Sequence, residues 1–303
     1  MPRVIVIGGA NVDIKGRARG AYVAGTSNPG EVTLSAGGVG RNIAENLARL
    51  GLSVALVTAL GSDANGQLVR QACAAVGVNL TMAIAAAAPT GSYLAVLDDM
   101  GELVSAINDM RAMEALTPSH LDSCADRLAQ ADMLVADCNL SEMCLAWLCR
   151  FSAERGRRLV IEPVSVPKAR KLLSLGNGLS AFAITPNAQQ LAALAGADGE
   201  AAIAKLHGLG IANVVLHRGA AGALASDGTR IEKIEPISVS AIADVTGAGD
   251  AAVAGLVCGL LEGRSLAQSA RLGQCAAAIK LSSAQSVASG LSRDSLFRLA
   301  GII

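Results

Sequence analysis

Asp244-Val245-Thr246-Gly247-Ala248-Gly249-Asp250, followed directly by Ala251-Ala252-Val253-Ala254-Gly255-Leu256-Val257, is the stretch from which the rest of the chain is best read. Gly247, Ala248 and Gly249 leave little side chain over the backbone, so successive N–H groups can turn toward one point. The apolar small-residue run predicts a helix starting at or just after Asp250. Free N–H groups at such a helix N-terminus form an anion hole. Asp250 beside that hole is placed to take a proton from a hydroxyl. The pair suits transfer of a phosphoryl group to an alcohol. In isolation the same residues also read as a plain glycine-rich turn capped by an aspartate. The preceding segment, Pro236–Ala241, predicts a strand. Strand, tight loop and buried helix in that order are where phosphate sites form.

Outward from this stretch the chain alternates strands and helices. Met1–Gly9 predicts a buried first strand ending in a glycine turn, too short and too early broken for a signal peptide. A polar, glycine-rich stretch follows from Asn11 to Ala36. The spacing of Ile43, Leu47 and Leu50 predicts a helix over Val39–Leu50, stopped by Gly51. A strand over Ser53–Leu60 and a helix over Asn65–Val76 come next. Gly91–Leu97 and Glu102–Ile107 flank Asp98-Asp99-Met100-Gly101, a hairpin signal. From Ala131 the rhythm is regular: strands at Met133–Asp137, Arg158–Glu162, Phe182–Pro186 and Val214–His217, helices from Ser141 to Glu154 and from Asn187. Two terminal helices, Ala251–Leu261 and Leu266–Leu281, close the pattern. The fold class is α/β, with a mostly parallel sheet covered by helices on both faces.

Composition narrows the function classes. The chain has 303 residues, 52% of them hydrophobic and 17% charged, with formal net charge +0. No basic stripe points to nucleic acid, and no apolar run approaches a membrane span. Seven cysteines form no C-x-x-C pair and sit in apolar company, which favours reduced core thiols and a cytoplasmic location. Three scattered histidines make no zinc site. With one Trp, two Tyr and three Phe, the core is built from Ala, Val, Leu and Ile, and the extra Ala implies close helix–sheet packing.

The 244–250 motif resembles the second signature of the PfkB, or ribokinase-like, carbohydrate kinases. Gly37-Gly38-Val39-Gly40-Arg41-Asn42-Ile43-Ala44-Glu45-Asn46-Leu47-Ala48-Arg49-Leu50-Gly51 resembles the first. The order matches the family, and the resemblance covers nearly the whole chain. It implies a single kinase domain over 1–303, with a small β lid built from about residues 12–36 and 91–110 that covers the sugar. It further implies ATP and magnesium as cofactors, and a homodimer paired through the lid.

The resemblance also assigns roles. Asp250 is the general base, and Gly247, Ala248 and Gly249 stabilise the transferring phosphoryl. Asn11 and Asp13 hold sugar hydroxyls, where the residues alone equally read as an Asx turn. Gly37 and Gly38 allow close approach of the sugar, and Asn42 adds an amide. Asn187 matches the Asn of the family's N-x-x-E motif, but its fourth position is Gln190. Gln brings no charge, so no metal role transfers to Gln190, and Glu162 is the other carboxylate for magnesium. Gly219 and Gly222 match the glycine turn beside the nucleotide, where Arg218 reaches either a phosphate or solvent. Asp244 and Thr246, with the Ala284–Gly290 loop, match positions that bind a monovalent cation in relatives, so potassium is a possible cofactor.

Within the family, further segments resemble the pseudouridine kinases: Ser27–Val32, Ala106–Met110, Val135–Glu142 and Glu162-Pro163-Val164-Ser165. The last usually begins with Asp there. Pseudouridine exposes an extra ring N–H, and Asn108 in the hairpin can both donate and accept toward such an edge. The resemblance therefore implies ATP-dependent phosphorylation of pseudouridine at the 5′ position. Another sugar or nucleoside kinase is the alternative, and Gln190 leaves open a ligand sensor that keeps the fold without turnover.

Overall fold

The computed structural model describes residues 3–303; Met1 and Pro2, expected in the first strand, lie outside them. β1 (Arg3–Ile7) is buried from Val4 onward. β2 (Asn11–Ala18) and β3 (Gly30–Gly37) follow as an antiparallel pair. Helix α1 (Val39–Arg49) ends at Gly51, whose φ of +82° is the left-handed turn that suits glycine. The strand expected over Ser53–Leu60 is two strands, β4 (Ser53–Val57) and β5 (Ala59–Leu60). β1 runs out at Ile7, so the chain beyond Val57 loses that partner. β5 pairs instead with β6 (Ile84–Ala85), beyond helix α2 (Ala64–Ala75). The expected hairpin is present as β7 (Gly91–Leu97) and β8 (Leu103–Asp109).

Two short helices, α3 (Pro118–Ser123) and α4 (Ala125–Ala129), lead into β9 (Met133–Asp137). Then come α5 (Glu142–Glu154), β10 (Leu159–Glu162), α6 (Val166–Ala169) and β11 (Ala181–Ile184). Next are α7 (Ala188–Ala195), α8 (Gly199–Gly208), β12 (Ile211–His217), β13 (Ala223–Ser226) and β14 (Ile231–Ile234). Helices α9 (Ala248–Leu261), α10 (Leu266–Leu281) and α11 (Arg293–Leu299) finish the chain. The strand expected over Pro236–Ala241 is absent: these residues form no regular element. Pro236 has no N–H to continue the ladder beyond β14. Helix α11 was not expected either; its apolar side is short, resting mainly on Leu296 and Phe297.

The main sheet has the order β14-β13-β12-β11-β10-β9-β1-β4. All neighbours from β12 to β4 are parallel, and β13 and β14 form an antiparallel edge. Successive strand residues point to opposite faces. Ile5, Ile7, Leu134, Ala136 and Ile161 join the core beneath α5, α7 and α8. Val4, Val6, Met133, Val135 and Val160 join the core beneath α1, α9, α10 and α11. Helix α9 is apolar on every side because it is buried on every side. It packs on α10 closely enough that a Cβ at Gly255 would come within 2.5 Å of the Leu272 carbonyl.

A separate four-stranded sheet, ordered β3-β2-β7-β8, stands where the lid is expected. It rises directly from β1 and α1, at the carboxyl ends of the main strands. That edge is where α/β sheets bind ligands.

Candidate active site

Helix α9 begins at Ala248, earlier than the sequence suggests, because Gly247 takes a left-handed φ of +84° and turns the chain into the helix. Asp250 therefore lies within the first turn. The amides of Gly247, Gly249 and Asp250 have no protein acceptor among the described residues. The Ala248 amide does: it donates to the Val245 carbonyl at 3.2 Å, so this member of the expected anion hole is spent on the turn. A helix N-terminus with free amides is a site of positive potential.

The Asp250 carboxylate is 6% exposed and accepts a hydrogen bond from the Asn42 side-chain amide at 2.7 Å. Burial pushes its pKa up to about 7, with Asp137 and Asp13 adding to the rise and Asn42 and Arg41 opposing it. A carboxylate poised there is matched to proton abstraction at neutral pH. Asn42 is held in turn by Arg41, whose guanidinium donates to Asn42 Oδ1, to Glu45 and to the Ala36 and Gly37 carbonyls. Arg41 is buried, although a charged residue in a helix ordinarily reads as surface. Its signal in the sequence was Glu45 one turn on.

On the lid side, Asn11 donates to Asp13 Oδ1 at 2.8 Å, and both are buried. Burial raises the Asp13 pKa, against the Asn11 hydrogen bond and the charge of Arg41. Gly37 lies beneath the Asp13 carboxylate, which would stand 2.4 Å from a Cβ there. Gly37 thus serves Asp13 rather than the cleft wall. Gly38 lines the cleft at a φ of +95°, pressed against the Gly9 carbonyl. Asn108 sits opposite Tyr93 across the lid hairpin.

One cleft of about 980 Å³ runs between lid and sheet. It brings together Asn11, Asp13, Gly38, Asn42, Asn108, Glu162, Asn187, Gly219, Thr246, Gly247, Ala248, Gly249 and Asp250. Gly37, Gly222 and Asp244 are not on its wall. Gly222, expected beside a nucleotide, is structural: its φ is +78°, and a Cβ would meet the Ile234 carbonyl at 2.1 Å. The Arg218 guanidinium turns back to the Ala221 carbonyl at 2.9 Å.

At the far end of the cleft, Asn187 and Gln190 form a capping box for α7. The Asn187 amide donates to Gln190 Oε1 at 2.8 Å, and the Gln190 amide donates to Asn187 Oδ1 at 2.9 Å. Gln190 performs this with a neutral side chain, so its presence needs no loss of function to explain it. The loop over Pro236–Val239, with Ala277 and Leu281, gives this end an apolar wall. His217 joins it with an imidazole whose pKa burial pushes down to about 4, so it is neutral.

Several residues of the site were not visible in the sequence. Asp137, at the end of β9, is fully buried and accepts from the amides of Gly9 and Gly40, each at 2.8 Å, and of Asn139 at 2.8 Å. It ties the turn after β1 to the first turn of α1. Asn139 and Lys168 bond to each other on the cleft wall below Asn108. Val164 holds a φ of +67°, rare for a β-branched residue, in a tight turn closed by Ser165 N–H to Pro163 O at 2.8 Å. Such backbone strain clusters at functional sites.

Against known proteins, residues 1–292 match the model of the pfkB family carbohydrate kinases. The pseudouridine kinase of Escherichia coli is 36% identical over 287 residues, 92% of this chain and 90% of that protein. A solved carbohydrate kinase from Agrobacterium tumefaciens superposes with a TM-score of 0.88 at 32% identity, covering 100% of this chain and 98% of that one. The Arabidopsis thaliana ribokinase, solved in complex with ribose and ATP, gives a TM-score of 0.86 at 23% identity, covering 99% and 98%. The chain belongs to the pfkB family of carbohydrate kinases and has the ribokinase-like fold. It is accordingly a phosphotransferase with a hydroxyl acceptor, acting on a sugar or nucleoside.

Proposed function

We propose that this chain is an ATP-dependent pseudouridine kinase that makes pseudouridine 5′-phosphate, working as one domain in the cytoplasm. The observation that carries the catalytic half is Asp250, buried at the mouth of α9 beside free amides, with a pKa of about 7 and an amide from Asn42 fixing its orientation. Asp250 accepts the proton of the attacking hydroxyl. The amides of Gly247, Gly249 and Asp250 donate to the phosphoryl oxygens as charge shifts onto them. The Ala248 amide joins them if a phosphoryl oxygen displaces the Val245 carbonyl. Asn11 and Asp13 orient the ribose hydroxyls, and the lid keeps water from the phosphoryl group.

The substrate half is supported by the likeness to the Escherichia coli enzyme and by the chemistry of the lid end. Asn108, Asn139 and Lys168 line the cleft there, a set of amides and one cation suited to the carbonyl and N–H edges of a uracil. Ribose alone would use Asn11 and Asp13 and leave these groups to water, which is the second reading.

ATP fits the opposite end, where the apolar wall and neutral His217 suit an adenine and Gly219 lies open on the turn after β12. For magnesium, the donors fit. Glu162 is buried, its pKa raised well above the ordinary range by burial and by the neighbouring charge of Asp250. Among the described residues no group of three or more ligating side chains gathers. Magnesium commonly uses one or two carboxylates with phosphate oxygens and water, so Glu162, once ionised, would hold the ion together with the ATP phosphates. When bound, magnesium supplies positive charge to the phosphates.

The test is product identification. Incubation with ATP, magnesium and pseudouridine is expected to yield the 5′-monophosphate by mass spectrometry and phosphorus NMR. Asp250→Asn is expected to lower kcat by about 10³-fold while leaving nucleoside affinity by calorimetry nearly unchanged. A phosphate on another hydroxyl, or an active Asp250→Asn, overturns the reading.

A further inference from the structure

Lys280 stands in the last turn of α10 and is 1% exposed. Its ammonium donates to two backbone carbonyls, Asp244 at 2.6 Å and Ser283 at 3.1 Å. The Asp244 carboxylate is turned away, to Lys15 at 3.0 Å and to the amide and hydroxyl of Thr246, each at 2.8 Å. A buried ammonium held by carbonyl oxygens is chemically equivalent to a small monovalent cation in a carbonyl cage. Burying it carries a desolvation cost, so its position calls for a return.

That return lies in the loop it holds. Asp244 opens the segment that carries Gly247, Gly249 and Asp250. The same segment is joined to the end of α10 by the Ala243 amide on the Leu281 carbonyl at 2.8 Å. Gly247 presses on the Ser286 carbonyl, which would stand 2.1 Å from a Cβ. The ammonium thus joins three pieces, the end of α10, the turn at Ser283 and the start of the phosphate-binding loop. It also sets a positive charge behind amides that await an anion. Burial lowers the Lys280 pKa, while the charges of Asp244 and Asp250 act to raise it.

We propose that Lys280 is the resident monovalent cation of this site: its ammonium occupies the two carbonyls, of Asp244 and Ser283, that a free potassium ion would otherwise engage, and it makes phosphoryl transfer independent of added potassium. The potassium that the family resemblance offers as a cofactor is then replaced by a side chain. Lys280 is a positioning residue, acting through the loop, and the proposal rests on the kinase reading of Asp250.

The experiment compares potassium, ammonium, sodium and tetramethylammonium chlorides at constant ionic strength. Wild-type kcat and KM are expected to agree within about twofold across the four salts, and the thermal midpoint to be the same in each. Lys280→Ala is expected to lose about tenfold or more in kcat with little change in KM for the nucleoside. Potassium, ammonium or methylammonium is expected to restore part of that loss and to raise the variant's thermal midpoint, whereas tetramethylammonium does neither. Wild-type activation of severalfold by potassium over tetramethylammonium overturns the proposal. A folded Lys280→Ala that no small cation restores overturns it too. Should Lys280→Ala fail to fold, the wild-type salt series decides alone. Absence of turnover in every salt counts against the kinase reading instead, and the cation dependence of the thermal midpoints still decides the role of Lys280.

Discussion

Among single residues, Asp250 is the one on which the proposed chemistry turns. Its pKa of about 7 sets a pH profile: log kcat/KM is expected to rise with unit slope at acid pH and to level off above about 7. Removing the Asn42 amide, which favours the ionised form, is expected to move that midpoint upward in Asn42→Ala; an unmoved midpoint would detach Asn42 from the base. The sign for stability is opposite to that of an ordinary paired carboxylate. The folded state holds the Asp250 proton more tightly than the unfolded chain, so its contribution is favourable at acid pH and falls as pH rises from about 4 to about 7. Asp250→Asn is expected to be more stable than the wild type by roughly 1–3 kcal/mol at pH 8, with the gap closing toward pH 4 in denaturant unfolding. The place of Asp250 at a helix start was legible in the sequence because its motif is local. Arg41, Asp137 and Lys280 were not, because a charged residue in a helix or at a strand end reads as solvated until its distant partners are known.

At the scale of elements, the start of α9 depends on Gly247. A side chain there meets both a φ of +84° and the Ser286 carbonyl. Gly247→Ala is expected to lose roughly 1–3 kcal/mol of unfolding free energy and to lower kcat together with it; unchanged stability would mean that the loop relaxes freely. Main-sheet strands and helices were legible because their apolar residues recur at regular spacing over buried faces. The strand limits of the β2–β3 pair were less legible than its place beside the hairpin: Gly16 interrupts the one strand, and Val32 and Leu34 on the other face solvent rather than a core. The loop over Pro236–Ala241 misled in the opposite sense. Its alternating Ile237 and Val239 imitate a strand but line the cleft, directly after Pro236 at the end of the sheet.

In the molecule as a whole, the parallel sheet brings the elements of the proposed site to one edge, and the four-stranded sheet supplies the opposite wall of the cleft. Lys15 of the lid and Asp244 of the phosphate loop meet at 3.0 Å, so lid and loop are joined across the cleft. The outer strands of the lid leave Val32, Leu34 and Ile107 more than half exposed. We propose that a second copy covers them, as the family resemblance implies. Analytical ultracentrifugation is expected to give a dimer for the wild type and a monomer for Ile107→Lys with Val32→Lys; a monomeric wild type would refute lid pairing. No described helix is long and apolar enough to cross a membrane.

The proposed activity requires that the Asp250 site act on a nucleoside selected by the Asn108 and Asn139 amides of the cleft. The most direct test is kcat/KM by ADP release for pseudouridine, uridine, adenosine, ribose and fructose, in parallel with ATP and magnesium. The expected result is a preference for pseudouridine of about tenfold or more over each of the others. A higher value for ribose, fructose or adenosine would leave Asp250 and the anion hole in place and contradict the assignment of the substrate.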